Sequence, residues 1–165
     1  MSLERYTAHE SVSQGALVLD GSEGASVQFA VCCKPIPGDD ILGYLGRGEG
    51  LVVHAEDCAV AKRLQHRDSE RFMAVDWSDE PVRLFETALL ITVTNGKGVL
   101  ARVAAALASA EADITHVNMG QERAQDATEL RFGVGVRDRA HLAAVLRSVK
   151  RTPSVLRVQR AKPGI

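Results

Sequence analysis

The chain has 165 residues, 45% apolar and 25% charged, a balance that suits one globular domain or two small ones and excludes a disordered chain. No run of about eighteen apolar residues occurs, and "MSLERYTAHE" lacks the apolar segment of a secretion signal, so a cytoplasmic protein without a membrane partner is expected. The net charge of -1 conceals an asymmetry, because residues 1–83 hold 8 Lys+Arg against 14 Asp+Glu while residues 84–165 hold 12 against 7, which marks two different units.

Residues 1–15 read as a linker or, from the leading "MSL", as a start added for expression. From Leu17 to Val53, "ALVLD", "SVQFA", "ILGYLG" and "LVVHA" are short alternating stretches bounded by Gly, Pro or Asp, which predicts small antiparallel strands. "DCAVAKRLQHRD" predicts a helix, with Asp57 as N-cap and Val60, Ala61 and Leu64 on one side. "RFMAVDWS" predicts a closing strand that carries Trp77 into the core, and "SDEP" at 78–81 a linker. Residues 16–80 are therefore expected to form a small β-rich domain with one helix.

Residues 84–160 show clearer periodicity. Leu89, Ile91 and Val93 alternate as in a strand, and after "NGKG" the residues Val99, Val103, Ala106, Leu107 and Ala110 recur at helical spacing. "ITHVNMG" and "TELRFGVGV" follow as strands, then a helix through Leu142, Val145, Leu146 and Val149, then the strand "VLRVQ". This β-α-β-β-α-β order predicts a ferredoxin-like unit, so the whole chain is of the α+β class. Both helices would cover one sheet face and leave His116, Asn118, Gly133 and Gly135 on the other. His66 and His141 read as surface residues. Arg147, Lys150, Arg151, Arg157 and Arg160 form a basic group that reads as a solvated face or as an RNA contact.

All three cysteines gather around one histidine. Cys32, Cys33, His54 and Cys58 offer three thiolates and an imidazole, a common structural zinc set, and an odd cysteine count in a reducing compartment leaves thiols or metal ligands. The spacing His54-x-x-x-Cys58 suits one metal and places Cys58 at a helix start, where the dipole favours a thiolate. Adjacent Cys32 and Cys33 would point to opposite faces of a strand, so both reach one metal only if the chain bends, and "KPIPGDD" supplies turn residues directly afterwards. Spacing alone leaves open three small thiols packed as apolar side chains, and a catalytic thiol paired with His54.

"FAVCCKPIPGDDILGYLGRGEGLVVHAEDC", a tryptophan-containing strand and the β-α-β-β-α-β unit together resemble the C-terminal regulatory end of long RelA/SpoT homologues, the stringent-response (p)ppGpp synthetases and hydrolases. The resemblance covers roughly residues 16–160. It implies a conserved-cysteine, or zinc-finger, domain whose metal positions match Cys32, Cys33, His54 and Cys58, followed by an ACT domain. It also implies that amino-acid or ribosome status is transmitted to catalytic domains outside this chain, whose motifs are absent here. No (p)ppGpp chemistry is then expected of the fragment itself, and the parent would be a GTP pyrophosphokinase or (p)ppGpp hydrolase. The competing expectation is a free-standing amino-acid-binding or metal-binding protein, and a native reading frame of roughly seven hundred residues would favour the fragment.

ACT domains commonly bind amino acids as dimers, often with Asp-Arg-Pro-Gly before the first helix. This chain has Asn95-Gly96-Lys97-Gly98, and only the last glycine matches. The loop still suits a carboxylate, with Asn95 as helix cap and free N–H groups at the helix start. The resemblance therefore places a ligand site, with a branched-chain amino acid as candidate, at Asn95, Gly96, Gly98, Val99 and Leu100, completed by a partner's residues near Ile114. A plain glycine-rich turn is the competing expectation. A homodimer through the ACT sheet and contact with ribosomal RNA complete the implied partners.

Overall fold

The structure, a computed structural model, describes residues 16–124 and 126–161. They form two compact units, one of 16–35 and 39–83, the other of 36–38 and 84–161.

In the first unit the strands are β1 (Leu17–Leu19), β2 (Val27–Phe29), β3 (Ile41–Leu45), β4 (Leu51–Ala55), β5 (Phe72–Met73) and β6 (Val75–Trp77), with one helix, α1 (Ala59–Arg67). The order β2-β4-β3-β5 makes one sheet and β1-β6 a second, two-stranded one. The predicted strands are present, but their pairing is not all antiparallel. β3 runs antiparallel to β4 and β5, whereas β2 pairs β4 in parallel and β1 pairs β6 in parallel. Parallel pairs need long connections, which 3-10 turns and the β3–β4 hairpin supply, and no local sequence pattern reports which strands those connections bring together. "RFMAVDWS" is divided between the two sheets as β5 and β6.

Alternation puts Leu19, Ile41, Leu51, Val53 and Val75 into one small core, with Phe29 and Trp77 packed against it. The Phe29 and Trp77 rings stack at 5.5 Å, and the Trp77 indole donates to Asp39 O at 3.0 Å. Trp77 thus lies at the margin of the core, where its N–H finds a partner. A unit of this size buries little apolar area, so any additional cross-link weighs heavily in its stability.

The second unit contains β7 (Phe85–Thr94), α2 (Val99–Ser109), β8 (Asp113–Ala124), β9 (Ala127–Val136), α3 (Arg139–Lys150) and β10 (Val155–Arg160). Its sheet has the order β10-β7-β9-β8 with every pair antiparallel, the ferredoxin-like topology. Phe85, Leu89, Ile91 and Val93 of β7 and Leu130, Phe132, Val134 and Val136 of β9 are buried. So are Val103 and Leu107 of α2 and Leu142, Val145 and Val149 of α3, the stripes that the 3.6-residue period picks out. On the other face Gly133 lies under Thr115, His116 and Glu86, where a Cβ would come within 2.5 Å of the Thr115 hydroxyl.

His141 is not a surface residue. It is 5% exposed, Arg137 N–H donates to its Nδ1 at 3.0 Å, and its Nε2 lies 2.8 Å from Ala110 O. Those partners assign the Nε2-protonated tautomer. Its backbone N–H donates to Asp138, the N-cap of α3, at 2.8 Å. His141 thus ties the start of α3 to the end of α2. Among the described residues no helix is long and apolar enough to cross a membrane.

Candidate metal centre and helix-start loop

Three segments build the cysteine cluster. After β2 the chain turns tightly, Lys34 N–H donating to Ala30 O at 2.8 Å with Lys34 in the left-handed region at φ 45°. This turn brings the side chains of Cys32 and Cys33 to the same side, and it lies ahead of the prolines expected to make the bend. β4 contributes His54, 5% exposed. The third segment is the start of α1, where Cys58 rather than Asp57 is the N-cap, in extended conformation and with no side-chain cap bond. A thiol caps poorly, so this position is explained by its place in the cluster.

The ligand atoms of Cys32, Cys33, His54 and Cys58 lie within 4.8 Å of one another. Cys32 Sγ is 3.5 Å from His54 Nδ1, 3.6 Å from Cys58 Sγ and 4.0 Å from Cys33 Sγ, and Cys33 Sγ is 3.8 Å from His54 Nδ1. Zinc bonds of about 2.3 Å to sulfur and about 2.0 Å to nitrogen give tetrahedral edges of roughly 3.8 Å and roughly 3.5 Å. The separations match those edges, and the donor set is of the structural type. These four residues could hold one metal ion. Ala55 N–H also donates to Cys33 Sγ at 3.3 Å, an outer contact that orients the sulfur.

Burial disfavours the charged forms of Cys32, Cys33 and His54. Burial pushes the Cys32 thiol above its ordinary range, helped by the sulfur of Cys58, and burial likewise raises Cys33 against the opposing Ala55 N–H. Burial pushes His54 below its ordinary value, keeping the imidazole neutral and its nitrogen available. A cleft of about 840 Å³ opens beside the cluster, with Cys32 and His54 in its lining and Tyr44, Val52, Val60 and Leu64 around them. Tyr44 Oη donates to Asp68 at its far end, at 3.3 Å.

In the second unit the turn between β7 and α2 holds Asn95, Gly96, Gly98, Val99 and Leu100 together. Asn95 does not cap the helix. Its side chain accepts from Thr128 Oγ1, its N–H donates to Asp126 O at 2.9 Å, and the N-cap is Gly98 at φ 75° with no side-chain cap bond. Glycine is suited there because the left-handed conformation carries no Cβ penalty. Val99 is 5% exposed and belongs to the core, whereas Gly96, Gly98 and Leu100 are exposed. Ile114 lies on β8, two strands from β7, and pairs with Val134 of β9, which is in register with Thr87 at the opposite end of β7 from the loop. One chain does not bring Ile114 to the Asn95–Leu100 turn.

The basic group is less uniform than its sequence. Arg147, Lys150, Arg151 and Arg157 are exposed, but Arg160 Nε donates to the buried Thr87 hydroxyl at 3.1 Å. Sequence reasoning misses this bond and the His141 bridge. The Asp138-x-x-His141 spacing, an N-cap residue three before the histidine, is the sequence signal that could have pointed to the latter.

Comparison with known proteins agrees with this two-unit architecture. Residues 17–78 match the family model of the RelA/SpoT RIS domain, and residues 82–160 that of the ACT domain. The chain belongs to the RelA/SpoT family, as the RIS and ACT domains of its C-terminal regulatory region. It is similar to the bifunctional (p)ppGpp synthase/hydrolase SpoT of Escherichia coli, 35% identical over 148 residues that make up 90% of this chain and 21% of that protein. The bifunctional (p)ppGpp synthase/hydrolase RelA of Mycobacterium tuberculosis is 32% identical over 140 residues, 85% of this chain and 19% of the relative. The chain thus spans about a fifth of these relatives' length. A solved ACT domain from the GTP pyrophosphokinase of Chlorobium tepidum is similar at 12% identity and a TM-score of 0.41, covering 47% of this chain and 99% of that one.

Proposed function

We propose that this chain is the regulatory part of a stringent-response enzyme, and that it passes amino-acid or ribosome status to (p)ppGpp synthetase and hydrolase domains elsewhere in a longer cytoplasmic protein. The observation that carries this reading is the tandem of a RIS and an ACT domain matched over 17–78 and 82–160, in relatives named for (p)ppGpp synthesis and hydrolysis. In the first domain Cys32, Cys33, His54 and Cys58 hold a structural zinc. When bound it supplies a cross-link between the turn after β2, strand β4 and the start of α1. The four near-tetrahedral separations and the N–H donated to Cys33 support zinc over packed thiols. A catalytic thiol would need an orienting partner for His54, and among the described residues the side-chain contacts found for its ring are with Cys32 and Cys33, which supports ligation over catalysis.

In the second domain the exposed turn at Asn95, Gly96, Gly98 and Leu100, above the buried Val99, receives an amino-acid carboxylate on the helix-start N–H groups. A second copy supplies Ile114, and the sheet-to-sheet homodimer is the assembly that joins the two. The distance of Ile114 from the loop within one chain supports a shared site rather than an intramolecular one.

The test is made on the full-length parent. Synthesis and hydrolysis of (p)ppGpp are measured with and without the segment equivalent to 17–160, across amino-acid concentrations and with ribosomes added. Loss of the response with intact basal chemistry is the expected result. An unchanged response would overturn the reading, and a native chain with no catalytic domains would favour a free-standing binding protein.

A further inference from the structure

The cysteine cluster is asymmetric in a way that a purely structural metal site does not require. Cys32 is half-buried and lines the cleft of about 840 Å³, so its side chain borders space that a small solute can enter. Cys58 is 8% exposed and its sulfur lies 3.6 Å from that of Cys32, already at van der Waals contact. Cys33 belongs to the same cluster but is less well placed for the exchange. Its sulfur is 4.0 Å from Cys32, is engaged by Ala55 N–H, and belongs to the sequence neighbour of Cys32. A bond between neighbours would close a small ring through one planar peptide and strain it, whereas Cys32 and Cys58 are separated by 26 residues on independent segments.

We infer that the cluster is also an oxidation-sensitive switch, in which a peroxide joins Cys32 to Cys58 and so removes two of the four metal ligands. The sulfur of Cys32 attacks one peroxide oxygen. The S–O bond forms, the O–O bond breaks, and the leaving hydroxide takes a proton to become water, so Cys32 becomes a sulfenic acid. The sulfur of Cys58 then attacks the Cys32 sulfur. The S–S bond forms, the S–O bond breaks, and a second water leaves. The two thiols lose two electrons and the peroxide gains them, while the departing cation keeps its charge. Cys33 and His54 remain as two ligands, too few to retain the ion. The turn after β2 and the start of α1 are then held by a covalent bond in place of a coordination bond. The disulfide step stands on sulfur positions alone, and only the release step rests on the metal reading.

The test uses this chain, reduced and with its zinc content measured first. Hydrogen peroxide is titrated while zinc release is followed with a chromogenic chelator, thiols are counted with a disulfide reagent, and the linkage is mapped by peptide mass spectrometry. The expected result is loss of two thiols per chain, a Cys32–Cys58 linkage, one zinc released per linkage, and reversal by dithiothreitol with added zinc. The Cys33→Ser variant keeps the linkage, and Cys32→Ser loses it. A linkage through Cys33, or over-oxidation to sulfinic acid with no disulfide, would overturn the inference. A chain purified without zinc that still forms the Cys32–Cys58 linkage would retire the metal reading and leave the oxidation step standing.

Discussion

The sulfur of Cys32 lies 3.5 Å from Nδ1 of His54, although the two residues are 22 apart in sequence and on different segments. That approach, with Cys58 Sγ at 3.6 Å from the same sulfur, makes the turn after β2, strand β4 and the start of α1 depend on one another. If these side chains hold zinc as proposed, replacing one of them should therefore act on the whole first unit. Cys58→Ser is expected to abolish metal retention and with it most of a binding free energy that is roughly 10 kcal/mol in small zinc domains. Thermal melting followed by Trp77 fluorescence reports the first unit, and the second unit's transition should stay in place.

The metal-free first unit should be most stable in a bounded pH window. Burial lowers His54 from its ordinary 6.5, so as pH falls below 6.5 the unfolded chain takes up a proton before the folded one, and the stability this group contributes is lost toward acid. Burial raises Cys32 and Cys33 above their ordinary 9.0, so their contribution is complete below 9.0 and is lost as pH rises beyond it. Melting in chelator should peak between these values. A profile flat through both limits would contradict the burial of these groups.

Lys34 takes a left-handed conformation at the turn that aims the two neighbouring cysteines, a state costing a non-glycine residue roughly 1–2 kcal/mol. Lys34→Gly is expected to stabilise the first unit by up to about 1 kcal/mol. Lys34→Val should destabilise it by about 2 kcal/mol and weaken metal binding. Urea unfolding and competition with a chromogenic chelator measure the two effects.

His141 bridges two helix ends through both ring nitrogens. His141→Phe keeps the ring but leaves the Arg137 N–H and Ala110 carbonyl without partners, at a cost of about 2–4 kcal/mol to the second unit. Urea titration should show this loss with the first unit's transition unmoved. A change under about 0.5 kcal/mol would mean that water replaces the ring at both positions.

If the Asn95–Leu100 turn and the partner's Ile114 make one ligand site, ligand and dimer stabilise each other by linkage. Sedimentation across a dilution series should show a dimer that persists to lower concentration with a branched-chain amino acid present. Ile114→Asp should remove that dependence. A monomer indifferent to every amino acid would reduce the loop to a turn.

Most of the second unit is legible in sequence because its signals are local. Alternation in β7 and β9 and the helical recurrence of Val99, Val103 and Leu107 or Leu142, Val145 and Val149 each report burial within a few residues. The first unit is legible as strands and a helix, but not in its pairing, since β1 finds β6 at the register Leu17 to Val75 only through tertiary closure. The cysteine–histidine cluster is legible by residue type, as four side chains that could hold one metal in a chain with three cysteines. Its bend is not, because a left-handed Lys34 leaves no mark in composition while the nearby prolines do. The burial of His141 is hidden because a histidine near a helix start is usually solvated.

The measurement that bears most directly on the metal centre is the metal content of the purified chain, read by native mass spectrometry at neutral pH and again after acidification. The expected result is a mass corresponding to one zinc per chain, lost together with the first unit's melting transition when protons displace the ion from Cys32, Cys33, His54 and Cys58. A metal-free chain whose first unit melts at the same temperature with and without added zinc would contradict it.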